Sequence, residues 1–152
     1  MSNKHNRLEE LVARLRERGC RLTPQRMAVL KILTAGNCHP SVQEIYCQVR
    51  DEFPMMSLAT VYSTLALLKE MGEVQELSWD GCRRYDAASS SPHPHLICLQ
   101  CGEIVDLESD LLGNVADEIA RRTGYQIVSH RFEFFAICPR CQEAACAASV
   151  GG

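Results

Sequence analysis

The sequence predicts an α+β protein: an N-terminal winged helix-turn-helix followed by a small C-terminal α/β domain built around a metal. Three observations carry this reading. The first half strings together amphipathic helical patterns that end in a hairpin signal. A small, polar, proline-terminated stretch, Ala87-Ala-Ser-Ser-Ser-Pro92, then marks a boundary. The second half holds two Cys-x-x-Cys pairs, Cys98/Cys101 and Cys138/Cys141. Each pair lets the two thiolates of a tight turn reach one ion, and together they close a tetrahedral shell of the structural-zinc type.

The helices follow in order. Leu8, Leu11, Val12 and Leu15 make a single apolar stripe at helical spacing. Thr23-Pro24 supplies an N-cap and a first-turn proline for a second helix through about Thr34. After His39-Pro40-Ser41 the stripe resumes at Val42, Ile45, Tyr46, Val49 and Phe53, and Pro54 closes it. Ser57 caps the next helix, to Met71, with Leu58, Val61, Tyr62, Leu65 and Leu68 expected on its buried side and Gly72 beyond its end. Two short alternating runs, Val74–Trp79 and Arg83–Tyr85, flank the hairpin dipeptide Asp80-Gly81. In a winged helix the helix from Ser57 would be the recognition helix and the hairpin the wing. A generic helical domain ending in a hairpin has the same element order.

Beyond the boundary, strands are expected at His95–Leu99 and Glu103–Leu107, and a helix from Asp110 to about Arg122. A run rich in Phe and Ile, Tyr125–Ile137, then leads into the second cysteine pair. The domains are thus 1–87 (winged helix), 88–92 (hinge) and 93–142 (metal-binding), with 143–152 a disordered tail of small residues. A C-terminal domain of this size is too small to be secure unaided, and zinc cross-linking or subunit association would supply the missing stability. His93-Pro-His95 reads as one face of a strand, so both imidazoles point to a second ion. A closed site beside an open one suggests a metal-built sensor or a metalloenzyme.

Bulk properties narrow the choice. The chain has 152 residues, 46% of them apolar, and no stretch long enough for a membrane span. Its charged N-terminus is not a secretory signal, so nine cysteines argue for reduced thiols in the cytoplasm. Cys20, Cys38, Cys47 and Cys82 read as plain small side chains, and Cys146 as a bystander in the tail. The net charge of −3 hides a basic end: residues 1–31 hold 8 Lys/Arg against 3 Asp/Glu. That fits a nucleic-acid surface or a solvated helix face equally well. A zinc deaminase would need His-x-Glu with Pro-Cys-x-x-Cys, which is absent. A thioredoxin-type pair should open a helix within a βαβ unit, whereas Cys138-Pro-Arg-Cys141 ends the fold. No enzyme reading survives well.

Arg21-Leu-Thr-Pro-Gln-Arg26, His39-Pro40, Ser57-Leu-Ala-Thr-Val-Tyr62, His93-Pro-His95-Leu-Ile-Cys98-x-x-Cys101-Gly102 and Cys138-x-x-Cys141 closely resemble the ferric uptake regulator family, in family order over residues 5–142. The resemblance implies a homodimeric, metal-responsive bacterial repressor with zinc on the four cysteines and a dimerising C-terminal domain. Within the family, peroxide-sensing repressors hold a regulatory Fe²⁺ or Mn²⁺ with three His and two Asp. The matching positions are His39, Asp86, His93, His95 and Asp106, where iron sensors usually carry Glu at the two Asp positions. A further family site would match Pro92, Pro94, Gly113 and His130, of which His130 alone keeps a donor. This combination resembles the peroxide sensors, in which His39 or His93 would be oxidised; an iron-sensing repressor is the alternative. One ion bound by all five would fix the angle between the domains, and so the spacing of two recognition helices on a palindromic operator. Phosphate contacts are expected from Lys/Arg around residues 14–31, including Arg26, and base contacts from Ser57, Thr60, Tyr62 and Ser63.

Overall fold

The computed structural model describes residues 2–36, 39–87 and 93–150. The chain divides into two compact units, Met1–Ser90 and Ser91–Gly152. The 88–92 segment expected as a hinge, and Cys38, lie outside the described residues.

The first unit is a winged helix. Helices α1 (Ser2–Glu17), α2 (Pro24–Thr34), α3 (Val42–Glu52) and α4 (Leu58–Glu70) precede strands β1 (Gln75–Trp79) and β2 (Cys82–Asp86). Each start has its chemical cause. The Thr23 and Ser57 hydroxyls accept from the amides of Arg26 and Thr60, and Ser41 forms a reciprocal capping box with Glu44. The β1–β2 turn needs positive φ at two successive residues, and Asp80 (φ 45°) with Gly81 (φ 79°) supplies it. The core is one apolar cluster in which Leu11, Leu15, Leu30, Ile45, Leu65 and Leu68 are almost fully buried. Each such side chain stabilises the fold by about 1.5–3 kcal/mol. Tyr62 departs from expectation. It lies outside the buried stripe of Val61, Leu65 and Leu68 and is 46% exposed.

The second unit is a three-stranded sheet of order β4-β3-β5, with β3 (His95–Cys98) central, β4 (Ile104–Asp106) antiparallel to it and β5 (Glu133–Ala136) parallel. Two expectations need correction. The helix from Asp110 is broken: Ser109–Leu112 is a 3-10 turn, Gly113 takes φ 43°, and α5 runs from Val115 to Thr123. The tail is not disordered as far as Val150: α6 spans Pro139–Val150, an alanine-rich run of high helix propensity that starts on a first-turn proline.

Burial in this unit is thin. Ile97, Cys98 and His95 are buried, yet α5 buries no residue. Val115, Ile119, Phe134, Phe135 and Ile137 are all at least 37% exposed. So large a bare apolar surface is uncommon on a chain that works as a monomer.

Candidate metal centres

The parallel β3–β5 ladder places the two cysteine pairs side by side. Cys98 ends β3 opposite Ala136, and the Leu99 amide donates to the Ala136 carbonyl at 2.9 Å. The chain after β3 turns back at once, with the Gly102 amide on the Cys98 carbonyl and the Cys98 amide on the Glu103 carbonyl, both at 2.9 Å. Two residues past β5, Cys138 precedes α6, and Cys141 lies in its first turn. All four Sγ atoms lie within 4.8 Å of one another. Cys98 and Cys141 are 3.9 Å apart and Cys101 and Cys138 3.7 Å.

Those separations fit a shared cation better than a disulfide. A disulfide would need about 2.05 Å. A tetrahedron with Zn–S bonds of about 2.3 Å has edges of about 3.8 Å. The four thiols therefore stand at zinc-thiolate spacing. One thiolate is prepared in advance: backbone N–H groups of Cys101 and Cys138 hold the Cys98 thiol down to about 6, the second at 3.3 Å. The neighbouring Cys138 thiol, by contrast, pushes Cys141 up to about 12. An arriving cation would thus meet Cys98 as its readiest donor. Of the remaining cysteines, Cys20 is half-buried, while Cys47, Cys82 and Cys146 are exposed.

A second donor group sits on the other end of β3. His95 pairs with Asp106 across the β3–β4 ladder, so the two side chains share a face. Asp106 Oδ1 is 3.4 Å from His95 Nε2 and 3.5 Å from His93 Nε2. His93 precedes the strand rather than belonging to it, yet its ring centroid is 4.5 Å from that of His95. Cis ligands on one ion with bonds of 2.0–2.2 Å lie about 3 Å apart, so this trio needs little adjustment to share a cation. His95 is fully buried, whereas His93 lines a cavity of about 450 Å³ together with Pro94, Gly113, His130 and Phe132. Three of the four positions matched to the further family site thus meet at this cavity, and His130 is the one donor among them. Pro92 lies outside the described residues.

The first unit contributes a pair of its own. The Tyr85 amide donates to the Pro40 carbonyl at 3.0 Å, tying the His39-Pro40 loop to the end of β2. His39 and Asp86 consequently offer ligand atoms within 4.8 Å of each other, with Asp86 3% exposed.

On α4, Tyr62 and Ser63 are exposed, and Ser57 Oγ lies 2.8 Å from Thr60 Oγ1 at the helix start. The basic surface is smaller than the sequence count suggests. Arg14 pairs with Glu73 at 2.6 Å, Arg18 with Glu70, and Lys69 with Glu76 at 2.6 Å. Arg26 is half-buried and donates to the Arg21 carbonyl at 2.6 Å. Sequence reasoning missed the buried Arg7–Glu73 contact, although a signal existed. Arg7 and Arg14 fall at i−4 and i+3 from Leu11, on the stripe of a buried leucine.

The comparisons with known proteins agree with this geometry. The family described as the ferric uptake regulator family matches residues 3–135. The peroxide-responsive repressor PerR of Staphylococcus aureus (strain USA300) is 39% identical over 137 residues, covering 90% of this chain and 92% of the relative. Among solved structures, the Campylobacter jejuni peroxide stress regulator superposes with a TM-score of 0.69 at 30% identity, covering 88% of this chain and 98% of that one. The Helicobacter pylori ferric uptake regulator Fur, described as having three functional metal-binding sites, gives a TM-score of 0.76 at 28% identity over 91% of this chain and 93% of its own. With its winged helix, its four-cysteine cluster and these relatives, the chain belongs to the ferric uptake regulator family, whose members are metal-dependent transcription regulators rather than enzymes.

Proposed function

We propose that this chain is a cytoplasmic, homodimeric repressor that senses hydrogen peroxide through oxidation of histidines holding a regulatory Fe²⁺, with zinc on Cys98, Cys101, Cys138 and Cys141 as a structural element. The observation that carries it is the donor set: His93, His95 and Asp106 converge in one unit, and His39 stands beside Asp86 in the other. Three nitrogens and two carboxylates suit Fe²⁺ or Mn²⁺ better than a thiolate site would. Similarity to the S. aureus and C. jejuni peroxide regulators supports the same reading.

Each residue then has a task. His93, His95 and Asp106 hold the ion from the C-terminal unit, and His39 and Asp86 hold it from the winged helix. Five protein donors would hold the ion and would still let a small molecule reach it. Ferrous iron, when bound, would lend an electron to open the peroxide O–O bond and recover it as the ring is oxidised, chemistry that Mn²⁺ performs far less readily. His95 is sealed by its burial, so oxygen transfer falls on His93, beside its cavity, or on His39. Net, one imidazole ring carbon gains oxygen and loses two electrons, and the peroxide leaves as water. The damaged ring is a poorer donor, the tie between the units weakens, and the two recognition helices lose the spacing that a palindrome of about 34–36 Å half-site separation requires. An iron-sensing repressor is the competing reading, favoured by the TM-score of 0.76 to the H. pylori Fur.

On DNA, Tyr62 packs on a thymine methyl while Ser57, Thr60 and Ser63 make polar contacts. Arg26 and its neighbours supply phosphate contacts and hence a steep fall of affinity with salt. Tyr62→Ala should weaken operator binding about 5–100-fold by the usual worth of a base contact, with thermal stability little changed because the ring is 46% exposed. Unchanged operator affinity would remove Tyr62 from the interface.

The direct test is metal dependence. Zinc-loaded protein should bind its operator tightly after Fe²⁺ or Mn²⁺ is added and weakly before. His39→Ala should abolish that difference while zinc content stays at one ion per chain. Equal operator affinity with and without the second metal would defeat the proposal.

A further inference from the structure

Arg7 plays no part in the roles assigned above, yet it is 6% exposed and reaches 80 residues along the chain. Its Nε donates to the Ala87 carbonyl at 2.8 Å and its Nη2 to the Glu73 carbonyl at 2.9 Å. The same Nη2 faces Glu73 Oε2 at 3.1 Å, and Arg14 Nη1 meets Oε1 at 2.6 Å. The Glu73 carboxylate is 2% exposed, so its charge is matched by two guanidinium groups of α1.

The place of these contacts in the wing gives them meaning. The β1–β2 ladder closes on the pair Gln75 and Asp86. Glu73 and Ala87 lie just past that rung, at the open end of a two-stranded ribbon, where pairing ordinarily frays. One planar guanidinium bonded to both stem carbonyls stands in for the missing rung. Lysine lacks the fork needed to do this. Asp86 is therefore held by the ladder on one side and by the Arg7 clamp on the other.

We propose that Arg7 is a positioning residue for Asp86: by bridging the two stems of the wing it keeps the Asp86 carboxylate where the regulatory ion needs it, so that metal affinity depends on the seating of α1. The inference rests on Asp86 being a ligand, as proposed above. The plainer alternative is that Arg7 simply neutralises a buried Glu73. Arg14 performs that neutralisation without touching Ala87, and so provides the control.

The experiment is a titration of full-length, zinc-loaded protein with Mn²⁺ alone, following free Mn²⁺ by electron paramagnetic resonance. Arg7→Met should lower Mn²⁺ affinity about tenfold, the scale on which outer partners of metal ligands act, with zinc content unchanged. Arg14→Met should lower thermal stability but leave Mn²⁺ affinity within about twofold, the limit for independent sites. In an Asp86→Ala background, Arg7→Met should cost no further affinity. Arg7→Lys should behave like Arg7→Met. If Arg7→Met fails to fold, Arg7→Met with Glu73→Gln, which removes the orphaned carboxylate, takes its place with Glu73→Gln alone as reference and the same tenfold loss expected. Wild-type Mn²⁺ affinity in Arg7→Met, beside a loss in Asp86→Ala, overturns the positioning role while the ligand assignment stands. Wild-type affinity in Asp86→Ala overturns the ligand assignment and this inference with it.

Discussion

Cys98→Ser should strip the protein of zinc and unfold its C-terminal unit. The expectation follows from how little else holds that unit. Ile97 and Cys98 are its buried apolar residues among those described, and α5 buries none. Structural zinc in small domains is worth about 10–16 kcal/mol at neutral pH, more than a core this thin supplies. Cys98 is also the thiol readied by the Cys101 and Cys138 amides, and it sits where β3, β5 and the start of α6 meet. A serine hydroxyl there keeps its proton and leaves three thiolates around an open position. Zinc analysis should fall from one ion per chain toward none, and size-exclusion chromatography should show loss of the dimer. The winged-helix unit has its own apolar cluster and should keep its helical signal. A soluble, DNA-binding dimer after Cys98→Ser would show that the cluster is not structural.

The N-terminal unit was legible residue by residue because each boundary is a local event. Thr23, Ser41 and Ser57 cap helices by bonding amides three residues on, and Asp80-Gly81 turns because those residues tolerate positive φ. The C-terminal unit was read less well for a physical reason. Its apolar residues at Val115, Ile119, Phe134 and Phe135 remain 37–49% exposed among the described residues, so their periodicity does not report a buried face. Gly113 then breaks a helix that the pattern from Asp110 to Arg122 would continue. Tyr62 was expected both on the buried stripe and as a base contact; it borders the stripe of Val61 and Leu65, and its 46% exposure removes it from that stripe.

The candidate donors were picked out by spacing and family resemblance, while the contacts that position them were not legible in the sequence. His93 precedes the strand, yet its ring lies 4.5 Å from that of His95, and the ladder adds Asp106 opposite His95. Nothing in the local sequence brings His39 to Asp86; the Tyr85 amide on the Pro40 carbonyl does that. Nor does it say that Arg14 and Arg18 pair with Glu73 and Glu70. Counting cations overstated the basic surface because ion pairing is a tertiary fact.

Brief exposure of the Fe²⁺ form to equimolar hydrogen peroxide should add the mass of one oxygen atom per chain, on His93 or His39, and release DNA. The Mn²⁺ form should show neither change. Position selects the target: His95 is fully buried on the central strand, whereas His93 precedes that strand and borders the cavity of about 450 Å³. Peptide mapping should therefore find His95 intact. Asp106→Glu gives the companion result. Asp106 Oδ1 stands 3.4–3.5 Å from both imidazoles, and one added methylene moves the carboxylate by about 1.5 Å, enough to reshape the shell without removing a donor. That variant should keep metal-dependent DNA binding and blunt the oxidation. Oxygen found on cysteine sulfur, with zinc ejected first, would place the sensor in the four-cysteine cluster instead. An iron form that survives peroxide unmodified, yet still needs Fe²⁺ to bind DNA, would make this chain an iron sensor, and Asp86 and Asp106 would then be shorter arms of an iron-sensing site.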